Sequence, residues 1–121
     1  MIERLLRRFI PHEDIGWIEI GERFTRYFVW RSRWFNVFIH QMYAPIAPPL
    51  CHDHPWSFVS LVLKKGYWES TDGQTFAWRP SKSILYRPAE FRHTVKTDNE
   101  TAWSLVVTGP KRRQWGNHEC R

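Results

Sequence analysis

The chain has 121 residues, of which 42% are hydrophobic, 17% aromatic and 25% charged, and this composition excludes a disordered chain and favours one globular domain. The net charge is +6, and part of the excess lies in the segments RLLRR (4–8) and KRR (111–113). No apolar run reaches transmembrane length, and the charges among the first ten residues are not those of a signal peptide, so we expect no membrane span.

The N-terminal segment 2–10 has a helical pattern. Pro11 follows it and cannot continue a helix, so we predict a short amphipathic helix that ends there. We expect its apolar stripe to dock on the domain; binding to a membrane surface is the weaker alternative for so short a segment. The residues of the stripe are Ile2, Leu5, Leu6 and Phe9.

From residue 15 onward, short runs of β-branched and aromatic residues alternate with turn residues, which predicts strands. APIAPPL (44–50) is predicted to be a loop, because its prolines lack a backbone donor. Eight to ten short strands indicate an all-β fold, either a double-sheet jelly roll or a small barrel. The predicted runs are GWIEI (16–20), RFTRYFVWR (23–31), RWFNVFIHQMY (33–43), WSFVSLVL (56–63), YWES (67–70), QTFAW (74–78), SILYR (83–87), HTVKT (93–97), TAWSLVVTG (101–109) and one short edge strand in the tail.

The segment LCHDHPW (50–56) raises the question of a metal site. Side chains alternate in a strand, so His52 and His54 would share a face and could bind one ion. An H-x-H pair alone is weak evidence, because polar residues are common at strand ends. Its position between a proline-rich loop and an apolar strand strengthens the interpretation, as does RPAEFRH (87–93), which supplies His93 at the start of another strand.

These two motifs resemble those of small cupins of the RmlC-like superfamily. His52, His54 and Gly66 match the first cupin motif, and Pro88 and His93 match the second, although a glutamate stands at position 90 where the second motif usually has glycine. The segments HDHPW (52–56) and TGPKRRQWG (108–116) resemble segments found in a group of single-domain cupins of bacteria and their phages. The resemblance implies one cupin domain over 1–121, a double-stranded β-helix (jelly roll) with a helical extension at 1–14 and the β-barrel at 15–121.

The resemblance also implies a ligand set. The glutamate of the first cupin motif would fall at Phe58 or Val59, which cannot bind metal, so the implied ligands are His52, His54 and His93. Three-histidine cupins exist, the thiol dioxygenases among them. The implied cofactor is a divalent transition metal such as Fe, Ni, Zn or Mn, since imidazole does not select among them.

Other residues are assigned by strand parity and position. Trp56 and Phe58 share the face of the histidine pair and are predicted to line a substrate pocket. His40 is a candidate acid–base or supporting group, with a satisfied strand histidine as the simpler interpretation. Arg87, just before the second motif, is a candidate for binding a substrate anion, with a surface arginine as the alternative. Asp53 is expected to point away from the histidines.

The chain has two cysteines, Cys51 and Cys120, and neither lies in a C-x-x-C pair. Two cysteines do not make a disulfide framework, so we expect a cytoplasmic protein. Cys51 lies on the opposite parity to the two neighbouring histidines, so we expect a buried free thiol there and not a metal ligand.

Three functional hypotheses follow. The first is a metal-dependent cupin acting on a small molecule, as an oxidoreductase of dioxygenase type or, second, as an isomerase or lyase. The second is a non-catalytic cupin that binds or sequesters a small anionic ligand such as a sugar phosphate or nucleotide. The third and weakest is nucleic-acid binding through the basic tail and the N-terminal helix. We also expect a homodimer.

Overall fold

The computed structural model describes residues 2–15, 23–47 and 50–120. The described part is mostly β-structure with one short helix. Its elements are α1 (Ile2–Phe9), β1 (His12–Ile15), β2 (Arg23–Arg31), β3 (Asn36–Tyr43), β4 (Cys51–His52), β5 (Phe58–Lys64), β6 (Tyr67–Ser70), β7 (Ala77–Arg79), β8 (Ile84–Arg87), β9 (Thr94–Lys96), β10 (Ala102–Thr108) and β11 (Asn117–His118).

The strands form two layers of antiparallel sheet. One layer is a six-stranded sheet in the order β1-β2-β3-β10-β5-β8. The other consists of the three-stranded sheet β7-β6-β9 and the pair β11-β4. A bridge between His52 and His93 joins β4 to the residue before β9, so these two smaller sheets continue one another.

The core lies between the two layers and follows from strand alternation. Along β10, every second residue is buried, from Ala102 to Thr108. One buried cluster joins Met42 and Val62 of the large sheet to Tyr67 of the small one. A second cluster, formed by Phe38, Trp56 and Val106, extends the core toward the segment that carries His54.

Gly66 lies in the turn that carries the chain from β5 in the six-stranded sheet to β6 in the three-stranded sheet, in a conformation that requires glycine. Its φ is +81°, in the left-handed region, and a Cβ there would lie 2.6 Å from the carbonyl oxygen of Arg79. The geometry of this turn therefore explains why glycine stands at position 66, the position that matches the glycine of the first cupin motif.

The predicted strand pattern corresponds closely to the observed one. RFTRYFVWR and YWES coincide with β2 and β6, and β3, β5, β7, β8, β9 and β10 differ from their predicted runs at the ends, whereas the two-residue strand β4 corresponds to no predicted run. The predicted strand GWIEI lies outside the described residues. The sequence did not predict β1, which pairs with β2, so residues 12–14 of the predicted helical extension are strand.

The helix α1 is present, but the prediction that its apolar stripe docks on the domain is wrong. Ile2, Leu5 and Phe9 are 64%, 54% and 68% exposed, and no residue of the helix is buried. Its contact with the sheet is polar instead: Arg7 donates to Asp14 at 2.9 Å and to Thr25 at 3.1 Å. No helix in the described ranges is long and apolar enough to cross a membrane.

The prediction of a free thiol at Cys51 is also wrong. Cys51 is fully buried, as expected, but it forms a disulfide with Cys120, 69 residues away. This bond ties the C-terminal segment to β4, next to the pairing of β4 with β11. Disulfides persist mainly in oxidising compartments. The cytoplasmic location therefore stays a prediction, and it can no longer be argued from unpaired cysteines.

Candidate metal centre

Backbone pairing brings the three predicted histidines together. His52 ends β4, and its N–H and C=O exchange hydrogen bonds with those of His93 at 2.8 and 3.1 Å. The backbone N–H of His54 donates to Ala89 at 3.0 Å, which holds the first histidine motif against the turn of the second. The two motifs, 39 residues apart between His54 and His93, thus meet through main-chain bonds.

The imidazole nitrogens converge on one point. One ring nitrogen from each of His52, His54 and His93 lies within 4.8 Å of the others. The Nε2 atoms of His54 and His93 are 3.2 Å apart. His54 and His93 are buried, and His52 is partly buried.

Burial keeps the rings of His52 and His54 neutral. It lowers the pKa of His52 to about 3, with the neighbouring His93 adding to the effect. Burial, followed by the proximity of His93 and His52, also holds the pKa of His54 far below its ordinary value. Neutral imidazoles keep a ring nitrogen lone pair free at physiological pH, which is the form that binds a metal ion.

Glu69 on β6 provides a buried carboxylate behind His93. Its Oε2 lies 2.6 Å from His93 Nδ1, and its side chain is only 2% exposed. Arg87 donates to both carboxylate oxygens, at 2.5 and 3.1 Å, and Arg79 donates to Oε1 at 3.0 Å. Although burial alone would raise the pKa of Glu69, the hydrogen bonds from His93 and Arg87 hold it well below its usual range.

The charge on Glu69 fixes the tautomer of His93. A carboxylate only accepts hydrogen bonds, so the Nδ1 of His93 carries the hydrogen and its Nε2 is turned toward His54. A carboxylate behind a histidine is the usual support of a metal-binding imidazole, because it fixes the ring and raises its basicity. Sequence reasoning missed Glu69; its signal was a charged residue on the same strand face as Tyr67.

The same contacts place Arg87 away from the predicted pocket. Its guanidinium pairs with Glu69 and lies over the ring of Phe91, with 4.6 Å from the guanidinium carbon to the ring centroid. It does not line the cavity beside the histidines. The structure therefore gives Arg87 a role in holding Glu69, and the cavity has a different arginine, Arg26.

A cavity of about 480 Å³ opens beside the three histidines. His40, Trp56 and Phe58, predicted as pocket residues, line it, and so does Trp115 from the C-terminal segment, which sequence reasoning missed. Its wall is mainly aromatic and aliphatic, and the charged side chains on it in the described ranges are Glu13 and Arg26. An apolar cavity with a few converging polar groups is typical of a small-molecule site.

His40 lies on β3 and contacts Arg26 of β2. Its Nε2 is 3.2 Å from the Arg26 Nε, which always carries a hydrogen, so this nitrogen of His40 accepts the bond. Burial, with a further contribution from Arg26, lowers the pKa of His40 well below its ordinary value. His40 is therefore a neutral imidazole in the cavity wall.

Asp53, between the two histidines, points the other way, as the strand parity predicts. It is 1% exposed and accepts from His118 at 2.8 Å and from Arg113 at 3.0 Å. Its backbone N–H also donates to Gly116 at 3.0 Å. Asp53 thus fastens the C-terminal segment, and with it Trp115, against the histidine motif.

Both basic segments contain arginines that are already paired. In RLLRR, Arg7 pairs with Glu3 and Asp14; in KRR, Arg112 pairs with Glu90 and Arg113 with Asp53. These ion pairs neutralise part of the positive charge that suggested an anionic partner for the two segments.

The histidine cluster is compatible with a metal ion. Two imidazole nitrogens bound to one ion at about 2.1 Å in tetrahedral geometry lie about 3.4 Å apart, so a pair at the full 4.8 Å separation has to approach by about 1.4 Å. The 3.2 Å separation of the His54 and His93 nitrogens already suits two ligands of one ion. The chemistry of the donors, three imidazoles of which one is supported by a carboxylate, fits a divalent transition metal.

No protein-family model matches the chain, and no curated protein sequence matches it. Solved structures do. The polyketide cyclase RemF from Streptomyces resistomycificus has a TM-score of 0.73 at 18% identity, over 92% of this chain and 81% of that one. An RmlC-like cupin from Shewanella frigidimarina has a TM-score of 0.62 at 16% identity, over 88% of both chains.

The DMSP lyase DddQ from Ruegeria pomeroyi has a TM-score of 0.58 at 16% identity, over 70% of this chain. The chain spans only 43% of that lyase. Identities this low establish the fold alone. The expected fold is confirmed: the chain has the RmlC-like cupin fold, a double-stranded β-helix, and it carries a three-histidine cluster compatible with metal binding.

Proposed function

We propose that this cupin-fold chain holds one divalent transition metal on His52, His54 and His93 and acts on a small molecule in the adjoining cavity. The observation that carries the proposal is the Glu69–His93 contact of 2.6 Å, at the edge of a converging three-histidine cluster. A histidine that merely filled the core would not need a buried carboxylate that itself requires two arginines. Three protein ligands also leave positions for a substrate.

The residues around the centre have definite roles in this proposal. Glu69 keeps the Nδ1 hydrogen on His93, and Trp56, Phe58 and Trp115 exclude water and hold an apolar part of the substrate. A divalent metal bound there would supply Lewis-acid chemistry or, in the case of iron, redox chemistry. Oxidoreductase activity of dioxygenase type is our first candidate reaction, and isomerase or lyase activity is the second.

Binding can be tested by thermal unfolding with added Fe(II), Ni(II), Zn(II) or Mn(II). A metal present at one hundred times its Kd stabilises the folded state by about 2.7 kcal/mol, so the wild-type Tm rises by several degrees. We expect His54→Ala to abolish the rise. His12→Ala is the matched control, because His12 lies on β1 outside the cluster. A wild-type Tm unchanged by all four metals contradicts the proposal.

A second candidate function is non-catalytic binding of a small anionic ligand. The observation that favours it is Arg26, a buried cation in the cavity wall. In that case His52→Ala and His54→Ala leave ligand affinity unchanged, whereas a metal-dependent site loses it.

We also propose a homodimer formed through the outer face of the six-stranded sheet. Val107 pairs with Val59, and Val59 pairs with Tyr86, so the three side chains form a row across β10, β5 and β8. They are 41%, 42% and 61% exposed, and a continuous exposed apolar surface favours association.

A further inference from the structure

Arg26 is a buried cation whose hydrogen-bonding capacity is only partly used. Its side chain is 7% exposed. Nη1 donates to Glu13 at 3.0 Å and Nε donates to His40 at 3.2 Å. Nη2 is buried and has no partner in the part of the chain that the structure describes. A buried charged group left with unmade hydrogen bonds is costly, so a bound partner would remove that cost.

Arg26 belongs to the cavity wall, and Nη2 is the nitrogen of its guanidinium that has no partner in the described ranges. Aromatic rings surround the guanidinium: its carbon lies 4.9 Å from the Phe38 centroid, 5.4 Å from Trp56 and 5.8 Å from Trp115. These rings offer no acceptor for an N–H in the plane of the guanidinium. Arg26 and the three histidines line the same cavity.

The charge balance around Arg26 leaves room for an anion. Glu13 is its one carboxylate partner in the described ranges, and the Glu13 side chain is 45% exposed, so water weakens the pair. His40 is neutral and accepts only the Nε hydrogen. Burial lowers the pKa of Arg26, which is the direction expected for a positive charge that is incompletely compensated.

We propose that Arg26 binds the carboxylate of the substrate, which makes the substrate a small organic acid with an apolar or aromatic body. Arginine suits this role because its planar N–H groups match carboxylate geometry. Arg26 is the single arginine or lysine on the cavity wall in the described ranges, so it balances a monoanion better than a phosphate dianion.

Arg26 and the histidine cluster are close enough for one small molecule to reach both. The Trp115 ring lies 5.8 Å from the Arg26 guanidinium carbon and 5.3 Å from the His54 ring centroid. A substrate with its carboxylate on Arg26 would therefore place another group at the histidines. This inference rests on the proposed function for the metal end of the cavity, whereas the anion end is measurable without metal.

The test measures binding of phenylacetate, its neutral analogue phenylacetamide, and phenyl phosphate by calorimetry, using chelator-treated and metal-loaded protein. We expect phenylacetate to bind the wild-type protein more tightly than either analogue. Arg26→Met should weaken phenylacetate binding by about 10- to 100-fold, the usual effect of losing a charged hydrogen bond, and should leave phenylacetamide binding unchanged. Arg112→Met, on an exposed arginine, is the matched control.

Glu13→Gln provides a second variant that does not depend on the folding of Arg26→Met. It removes the carboxylate that competes for Arg26 and lies on the cavity wall, so we expect phenylacetate affinity to increase. The proposal is overturned if wild-type protein fails to bind phenylacetate at millimolar concentration, prefers phenyl phosphate, or gives the same affinity as Arg26→Met. If the wild-type protein binds no metal but still prefers phenylacetate in an Arg26-dependent way, only the proposed metal site is overturned.

Discussion

Glu69 shows how a metal-site residue escapes prediction from sequence spacing. The cupin resemblance places a carboxylate four or five residues after the first histidine pair, where this chain has Phe58 and Val59. The fold brings a carboxylate from β6 instead, and it contacts the Nδ1 of His93, not the converging ring nitrogens. The three histidines were predictable because their motif and strand parity are local properties. Glu69 was not, because only the pairing of β6 with β9 brings it to His93.

Glu69→Gln tests the support of His93. A neutral amide accepts the Nδ1 hydrogen bond of His93 more weakly than a carboxylate does, so we expect metal affinity to fall by about 10- to 100-fold, measured by metal titration. The Tm should fall as well, because Arg79 and Arg87 lose their carboxylate. Glu90→Gln, which affects only an exposed ion pair with Arg112, is the control. Equal metal affinity of wild type and Glu69→Gln would mean that Glu69 does not support the centre.

His40 makes stability depend on pH. Its folded pKa lies below the unfolded value of about 6.5, so the unfolded state binds the proton more readily, and stability falls as the pH drops below about 6.5. Protonation of His40 Nε2 would also break the hydrogen bond that it accepts from Arg26 and would place a second positive charge beside the guanidinium. Gln accepts through its carbonyl oxygen without titrating.

We therefore expect His40→Gln to lose less stability than wild type between about pH 7 and pH 5, measured by urea unfolding. Other groups titrate in both proteins, so the difference between the two curves isolates His40. Parallel curves would show that His40 contributes nothing to the acid sensitivity.

Among the secondary-structure elements, the positions of the strands were the easiest feature to predict, and the contacts that hold each element in place were the hardest. Alternating apolar residues marked β2, β6 and β10 correctly. The helix α1 was predicted, but its amphipathic pattern did not reveal that Arg7, and not the apolar stripe, contacts the sheet. The two-residue strand β11 is too short to have a pattern; the disulfide and Asp53 hold it against β4.

Cys51→Ser/Cys120→Ser tests the attachment of β11. The disulfide closes a long loop, with a sequence separation of 69 between its cysteines, so we expect the free energy of unfolding to fall by about 2–4 kcal/mol, measured by urea unfolding. Fluorescence of Trp115 should shift as its segment detaches. A reducing agent should reproduce the loss in wild type and have no effect on the double variant. Unchanged stability would show that β11 is held without the disulfide.

At the scale of the whole molecule, the cupin fold followed from two short motifs and the turn spacing. Its two layers enclose a cavity that is lined by both the three histidines and Arg26. The sequence could not identify the cavity arginine, because Arg26 and Arg87 differ only in their partners in space: Arg87 faces Glu69, and Arg26 faces the cavity. Charge counts alone cannot make that distinction.

The proposed homodimer is tested by Val59→Glu, which places a charge at the centre of the exposed row on the six-stranded sheet. We expect wild type to sediment as a dimer and the variant as a monomer with little change in Tm, since Val59 is partly exposed. Leu5→Glu, on the exposed helix α1, is the control. A dimer that persists in Val59→Glu would place the interface elsewhere.

Metal binding by the three histidines can be measured by elemental analysis of untagged protein after incubation with Fe(II), Ni(II), Zn(II) or Mn(II) and desalting. We expect about one metal ion per chain, and none in the triple variant His52→Ala/His54→Ala/His93→Ala. Protein that retains no metal, or a triple variant that retains as much as wild type, would contradict the proposed metal site.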